Sequence, residues 1–150
     1  MVSEQQTAAR AQELLHSFRQ VQRSMTSLMR VQADRLGLTP VQMLVLHTLA
    51  EESNLSLNDL SERIQLGCST VSGVVKRLVE SGLVERDRLD EDQRTMAIRL
   101  TEHGRQLDNL AYGRDSLMSE AFLRFLKFTE EDIDTLLRLH KELIRILSLQ

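Results

Sequence analysis

Aromatic side chains are scarce in this chain. Four phenylalanines, one tyrosine and no tryptophan leave too few rings for single-strand nucleic-acid binding by base stacking. A single cysteine, Cys68, excludes an internal disulfide framework and a multi-cysteine zinc site. The opening residues MVSEQQTAAR hold no apolar signal-peptide core. The longest stretch free of Asp, Glu, Lys and Arg is 36–50, too short to span a bilayer. These absences point to an intracellular, reducing, cytoplasmic setting without a membrane partner. An excess of base is also missing. Acids outnumber bases by 22 to 19, for a formal charge of −3, which excludes a uniformly basic coat but not a local basic patch.

Catalytic and metal signatures are missing as well. There is no Walker A, no G-x-G-x-x-G and no H-E-x-x-H. Gly67-Cys68-Ser69-Thr70-Val71 lacks the second glycine of a nucleophile elbow. His16, His47, His103 and His140 are scattered, and no metal or cofactor is expected. The chain reads as a non-enzyme.

What is present is helical patterning. Ala11, Leu14, Phe18, Val21, Met25 and Leu28 form a heptad-type stripe within a long helix over 8–35. Thr39-Pro40-Val41-Gln42 is a capping box with proline at the first helical position, and Ser56 with Asp59 makes a second. Gly67 separates that second helix from another running from about Ser69 to Ser81. Gly82 sits where a left-handed cap is wanted. Leu83–Arg86 and Met96–Leu100 alternate rather than recur every three or four residues, so they read as two strands joined by a charged loop. From Thr101 the helical pattern returns as one stripe reaching Phe125. Thr129 and Asp132 then open a last helix over about 130–148. That helix is apolar on two sides and must be covered on both. The fold class is mainly α with a small β-wing.

The helix after Gly67 divides cleanly. Val71, Val74, Val75, Leu78 and Val79 share one side at about 100° per residue. Ser69, Thr70, Ser72, Gly73, Lys76, Arg77 and Glu80 share the other. Small polar residues at a helix start suit close approach to base edges in a major groove, and hydroxyls there can hold phosphates. A solvated face with ordinary charges fits the same pattern. The ribbon loop adds Arg86, Arg88 and Arg94, and an arginine at a hairpin tip can enter a minor groove. A charged turn kept for solubility is the alternative.

The order of elements and these motifs resemble the MarR family of winged helix-turn-helix transcriptional regulators. Asp92-Gln93-Arg94, followed after five residues by Leu100-Thr101, resembles the family's wing signature. The segment 69–78 with Gly82-Leu83-Val84 resembles its recognition helix and turn. Leu38–Gln42 and Thr101–Arg105 resemble the entries into its second and fifth helices. The resemblance implies a homodimer in which 1–35 and 102–150 form a helical dimerisation lobe and 36–101 a winged DNA-binding unit. It implies that Ser69, Thr70, Ser72, Gly73, Lys76 and Arg77 face the major groove of double-stranded DNA. Arg94 would be the minor-groove arginine, oriented by Asp92, with Arg86 and Arg88 on the backbone. Gly73 departs from the larger, often basic residue of many members, and Asp90 and Glu91 lower the wing's charge.

A repressor on a pseudo-palindromic operator is therefore expected. The resemblance also suggests release by a small phenolic or amphipathic effector, for which Phe18, Met43, His47 and Tyr112 are candidate pocket residues; plain core is their alternative. Cys68, just before the recognition helix, is a candidate redox position, since a helix N-terminus can lower a thiol's pKa. Two rival readings remain. One is a winged-helix dimer that docks protein without binding DNA, supported by the acidic balance of 36–101 (7 basic against 10 acidic residues). The other is a cysteine-based redox-sensing regulator.

Overall fold

The computed structural model describes residues 4–88 and 96–148. Helix α1 (Glu4–Leu36) leads through a turn into α2 (Pro40–Glu51), α3 (Leu57–Ile64) and α4 (Cys68–Glu80). Strands β1 (Val84–Arg88) and β2 (Met96–Leu100) follow, then α5 (Glu102–Tyr112), α6 (Leu117–Phe125) and α7 (Glu130–Leu147). The expected elements are present, except that the stretch from Thr101 to Phe125 is two helices rather than one, and two boundaries differ slightly. The strand begins at Val84 rather than Leu83, and α4 takes in Cys68 as its first residue.

Local chemistry sets most of the boundaries. Thr39 accepts from the Gln42 backbone N–H while the Gln42 side chain accepts from the Thr39 N–H, at 3.2 and 2.8 Å. Ser56 and Asp59 repeat the arrangement at α3. These hydrogen bonds hold the Asp59 carboxyl below its ordinary range, the Ser56 hydroxyl contributing most. Each such cap is worth roughly 0.5–2 kcal/mol. Thr129 caps α7 through the Asp132 N–H, but here the reciprocal bond comes from its hydroxyl to the Asp132 carboxylate at 2.6 Å. Gly82 adopts φ +69°, the left-handed turn that other residues reach only with strain.

One aliphatic core joins α2, α3, α4 and the ribbon. Leu46, Leu49, Leu60, Val71, Val75, Leu78, Val84, Ile98 and Leu100 are buried together. Burying each such side chain contributes roughly 1.5–3 kcal/mol. β1 and β2 pair antiparallel, Val84 opposite Leu100 and Arg88 opposite Met96. A bridge from Leu55 to Ile98 ties the ribbon to the chain entering α3. Helix α5 packs so close to the ribbon's start that a side chain at Gly104 would collide with the Leu83 carbonyl.

The single stripe expected from Thr101 to Phe125 is two helices. Gly113 ends α5, its N–H donating to the Asn109 carbonyl at 2.8 Å. A Cβ at Gly113 would run into that carbonyl. Buried Ser116 then caps α6 through the Ser119 N–H. The break is bridged from α1. Buried Gln32 donates from Nε2 to the Leu110 carbonyl at 2.8 Å and accepts from the Leu117 N–H at 3.2 Å.

Beyond this staple the outer helices bury little. Helices α6 and α7 bury no residue, and α1 buries only Gln32 and Ala33. Gln32→Leu leaves the Leu110 carbonyl and the Leu117 N–H without their partner. Equilibrium urea unfolding should show a loss of roughly 1–3 kcal/mol. Unchanged stability would mean the staple does not hold the α5–α6 junction.

Candidate nucleic-acid interface

Helix α4 is oriented by what it buries. Val71, Val75 and Leu78 are fully buried, Val74 is half-buried, and Val79 lies at the rim. The opposite side is thereby forced outward. Ser69, Thr70, Gly73, Lys76 and Arg77 are exposed, and Ser72 is half-exposed. The sequence-based division of the helix holds, apart from the rim position of Val79.

The first turn of α4 is linked to α3. The exposed Cys68 thiol donates to the Asn58 amide oxygen at 3.4 Å, a weak hydrogen bond. Asn58 also lines a cleft of about 530 Å3 with Ser56, Leu57, Asp59, Arg86, Met96 and Ile98. Arg86 of β1 therefore stands across a groove from the start of α3, on the flank where α4 begins. On the other flank, Arg77 lines a cleft of about 270 Å3 with Leu36, Leu38, Gln42, Leu83, His103 and Leu107. Lys76 and Arg77 are sequence neighbours on diverging sides of the helix. Arg88 is placed by its backbone alone, opposite Met96. Asp92 and Arg94 lie outside the described residues.

The charges sort into two groups. Arg63 makes a forked pair with Glu52, at 2.9 and 2.6 Å, which ties α3 to the end of α2. Arg99 of β2 reaches Glu85 at 2.7 Å and Asp87 at 3.0 Å across the ribbon. The Glu85 hydrogen bond holds the Arg99 guanidinium above its ordinary range. These arginines are engaged by the fold. Lys76 meets Glu80 only at 4.0 Å, a weak exposed contact. Arg77 and Arg86 have no ion-pair partner among the described residues. Glu52, Glu85 and Asp87 are thus engaged by Arg63 and Arg99, and among the described bases of the central unit Arg77 and Arg86 stand unpaired on and beside α4.

A second cluster lies where α2 meets α5. The His47 ring stacks on Tyr112 with centroids 3.9 Å apart and 16° between planes. His47 Nδ1 is 3.2 Å from Asp108 Oδ1, and Nε2 is 3.7 Å from Glu51. Burial pushes the Asp108 carboxyl above its usual range, with His47 pulling the other way. Burial, with a contribution from Asp108, pushes the Tyr112 phenol up to about 12. Of the four candidate effector residues, His47 and Tyr112 meet here. Met43 is fully buried in the adjoining cluster that Tyr112 packs against. Phe18 lies elsewhere, its ring 6.4 Å from that of His140 on α7. Both clefts described above are lined by other residues. Asp108 was not foreseen as part of any site, although a carboxylate four positions before the lone tyrosine on an apolar stripe was a visible signal.

The fold has known counterparts. The MarR family model matches residues 38–96. Over 128 residues the chain is 30% identical to the homoprotocatechuate degradative operon repressor of Escherichia coli, a match covering 85% of this chain and 84% of that one. The chain belongs to the MarR family. It is also 35% identical over 89 residues to the organic hydroperoxide resistance transcriptional regulator of Bacillus subtilis. That match covers 59% of this chain and spans 60% of the relative's length. A MarR family protein from Bacillus stearothermophilus has the same fold, with a TM-score of 0.80 at 27% identity over 97% of this chain and 99% of that one. The two sequence relatives are a repressor and a transcriptional regulator, and the MarR family is not one of enzymes. Among the described residues no helix is long and apolar enough to cross a membrane.

The single tyrosine and the absence of tryptophan make the His47–Tyr112 cluster directly observable. The phenol's pKa is higher folded than unfolded, so the folded chain holds the proton more tightly. Its contribution to stability is complete below pH 10 and falls as pH rises towards 12. Titration followed by phenolate absorbance, with far-UV circular dichroism confirming the fold, should give a midpoint well above 10. A midpoint at 10 with the fold intact would place Tyr112 in solvent.

Proposed function

We propose that two copies of this chain bind one double-stranded DNA operator sequence-specifically and repress transcription from it. The observation that carries the reading is the sorting of charge. Bases elsewhere in the winged unit are locked to carboxylates, as in Arg63–Glu52 and Arg99–Glu85. Arg77 and Arg86 keep their charge unmatched among the described residues, and Lys76 nearly so. A chain with a net charge of −3 thereby offers a local positive field beside a helix of small polar residues. Phosphates would be held by the bases and hydroxyls, and the outward side of α4 would enter the major groove. Arg94, oriented by Asp92, would reach the adjacent minor groove, with Arg88 beside it on the backbone.

The pairing of two copies is supported by the outer helices. Leu14, Phe18 and Val21 of α1, Phe122 of α6 and Leu137 and Ile144 of α7 are all exposed. A helix that buries no apolar face gains little from propensity alone, so a second copy covering these faces is the natural partner. The lobe then comprises 1–35 and 102–150, and the winged unit 36–101. Two recognition helices related by a twofold axis predict a pseudo-palindromic operator with half-sites about 34 Å apart. The rival reading, a module that docks protein only, rested on the acidic balance of 36–101. Glu52, Asp59, Glu85 and Asp87 in that segment are engaged within the fold, which weakens it.

An effector that releases DNA fits the same frame. The His47–Asp108–Tyr112 cluster lies between α2 of the winged unit and α5, a helix of the lobe. A small phenolic or amphipathic ligand seated against it would shift one relative to the other.

Fluorescence anisotropy with labelled duplex from upstream of the chain's own gene tests the DNA reading. Affinity should fall steeply with salt. Lys76→Ala and Arg86→Ala should each flatten the log–log slope by about 0.9, one phosphate contact. Salt-independent binding, or unchanged slopes for both variants, would contradict it.

A further inference from the structure

Gly73 sits in the middle of α4 on its outward side. Apart from proline, glycine is the poorest helix former, because it surrenders the most backbone freedom on folding. A glycine in a helix interior therefore calls for a reason. Elsewhere in this chain the reason is internal: at Gly104 a side chain would strike the Leu83 carbonyl. At Gly73 no internal reason exists. The position has no positive φ, and a Cβ built there meets nothing within 4 Å among the described residues. The folded chain has room for a side chain and would gain from one.

We propose that Gly73 is a specificity-determining gap that lets the α4 backbone seat against base-pair edges in the major groove. The inference rests on the DNA-binding reading above. Ser69 and Lys76 lie one turn to either side of Gly73, within about 60° of it around the axis at 100° per residue. They can hold hydroxyl and ammonium contacts only if the turn between them does not stand off from the duplex. A side chain at 73 lengthens that standoff. Major-groove reading depends on hydrogen bonds within about 3 Å, so a displacement of even one methyl group weakens its neighbours' contacts. With no side chain at 73 the base step is selected by fit, and Ser69, Thr70 and Lys76 come closer to the duplex.

The consequence is that stability and function move in opposite directions. Gly73→Ala should raise the thermal unfolding midpoint of the free protein, since alanine stiffens the helix and meets open space. The same substitution should weaken binding to the duplex from upstream of the chain's own gene by roughly tenfold, the scale of one good base contact. Gly73→Leu should weaken it further while leaving the far-UV spectrum unchanged. Affinity equal to or better than wild type in both variants overturns the inference. So does a lower unfolding midpoint for Gly73→Ala, which would mean that the fold itself needs glycine there. If the wild-type chain fails to bind the duplex, the DNA reading falls first and this inference falls with it. Tight wild-type binding with undiminished variants removes the gap alone.

Discussion

The burial of Val71, Val75 and Leu78 against Leu46, Leu60, Ile98 and Leu100 is the constraint on which the rest depends. A helix of thirteen residues has no preferred direction of its own. This wedge gives α4 one, and every proposed contact on its far side follows. The wedge also joins α4 to the ribbon, because Ile98 and Leu100 are strand residues. Helix α4 and the described strands of the ribbon therefore share one core, so that on the proposed reading their spacing against a duplex would be set by folding rather than by binding. Less conformational freedom has to be lost on association when the two contact elements are already fixed.

Charge is arranged around that body with some economy. Glu85 and Asp87 point to the same side of β1 by strand alternation, and Arg99 on β2 reaches both. Arg86, between them, is left on the other side, toward the start of α3. The acids of the ribbon stiffen it without neutralising the base that faces the cleft. These ion pairs are exposed and each contributes little to stability. On the proposed reading, their effect would be to remove particular carboxylates from competition with DNA phosphates. On the DNA-binding reading, that would let an acidic winged unit accept an anionic partner.

The elements were legible in the sequence wherever the signal was local. Thr39 with Gln42, Ser56 with Asp59, and Gly82 after α4 place helix ends through contacts only a few residues apart. The split faces of α4 follow from a period that the aliphatic residues mark clearly. The long-range partners were not legible. Gln32 reaches Leu110 and Leu117, and His47 reaches Asp108. Nothing in their local spacing encodes these meetings, which arise from how α1, α2 and α5 pack. The break at Gly113 was hidden for a different reason. Apolar residues continue at helical spacing through α5 and α6, and periodicity reports a face without reporting whether the axis bends. The Gly113 and Ser116 pair carried the signal of a cap, outweighed by the stripe around it. The division of bases into engaged and unmatched groups was likewise invisible, since a count of charges carries no partners.

The unburied lengths of α1, α6 and α7 complete the account. A winged unit with its own core is joined to helices whose apolar faces find little cover within one chain. On the proposed reading, folding of the centre and pairing of the periphery are separate requirements, and operator recognition would need both. The most direct measurement is the stoichiometry of the protein–duplex complex, by sedimentation equilibrium or native mass spectrometry. Two chains on each operator duplex, already paired before DNA is added, is the predicted result. One chain on each duplex, or a monomer that persists at all concentrations, would contradict the account.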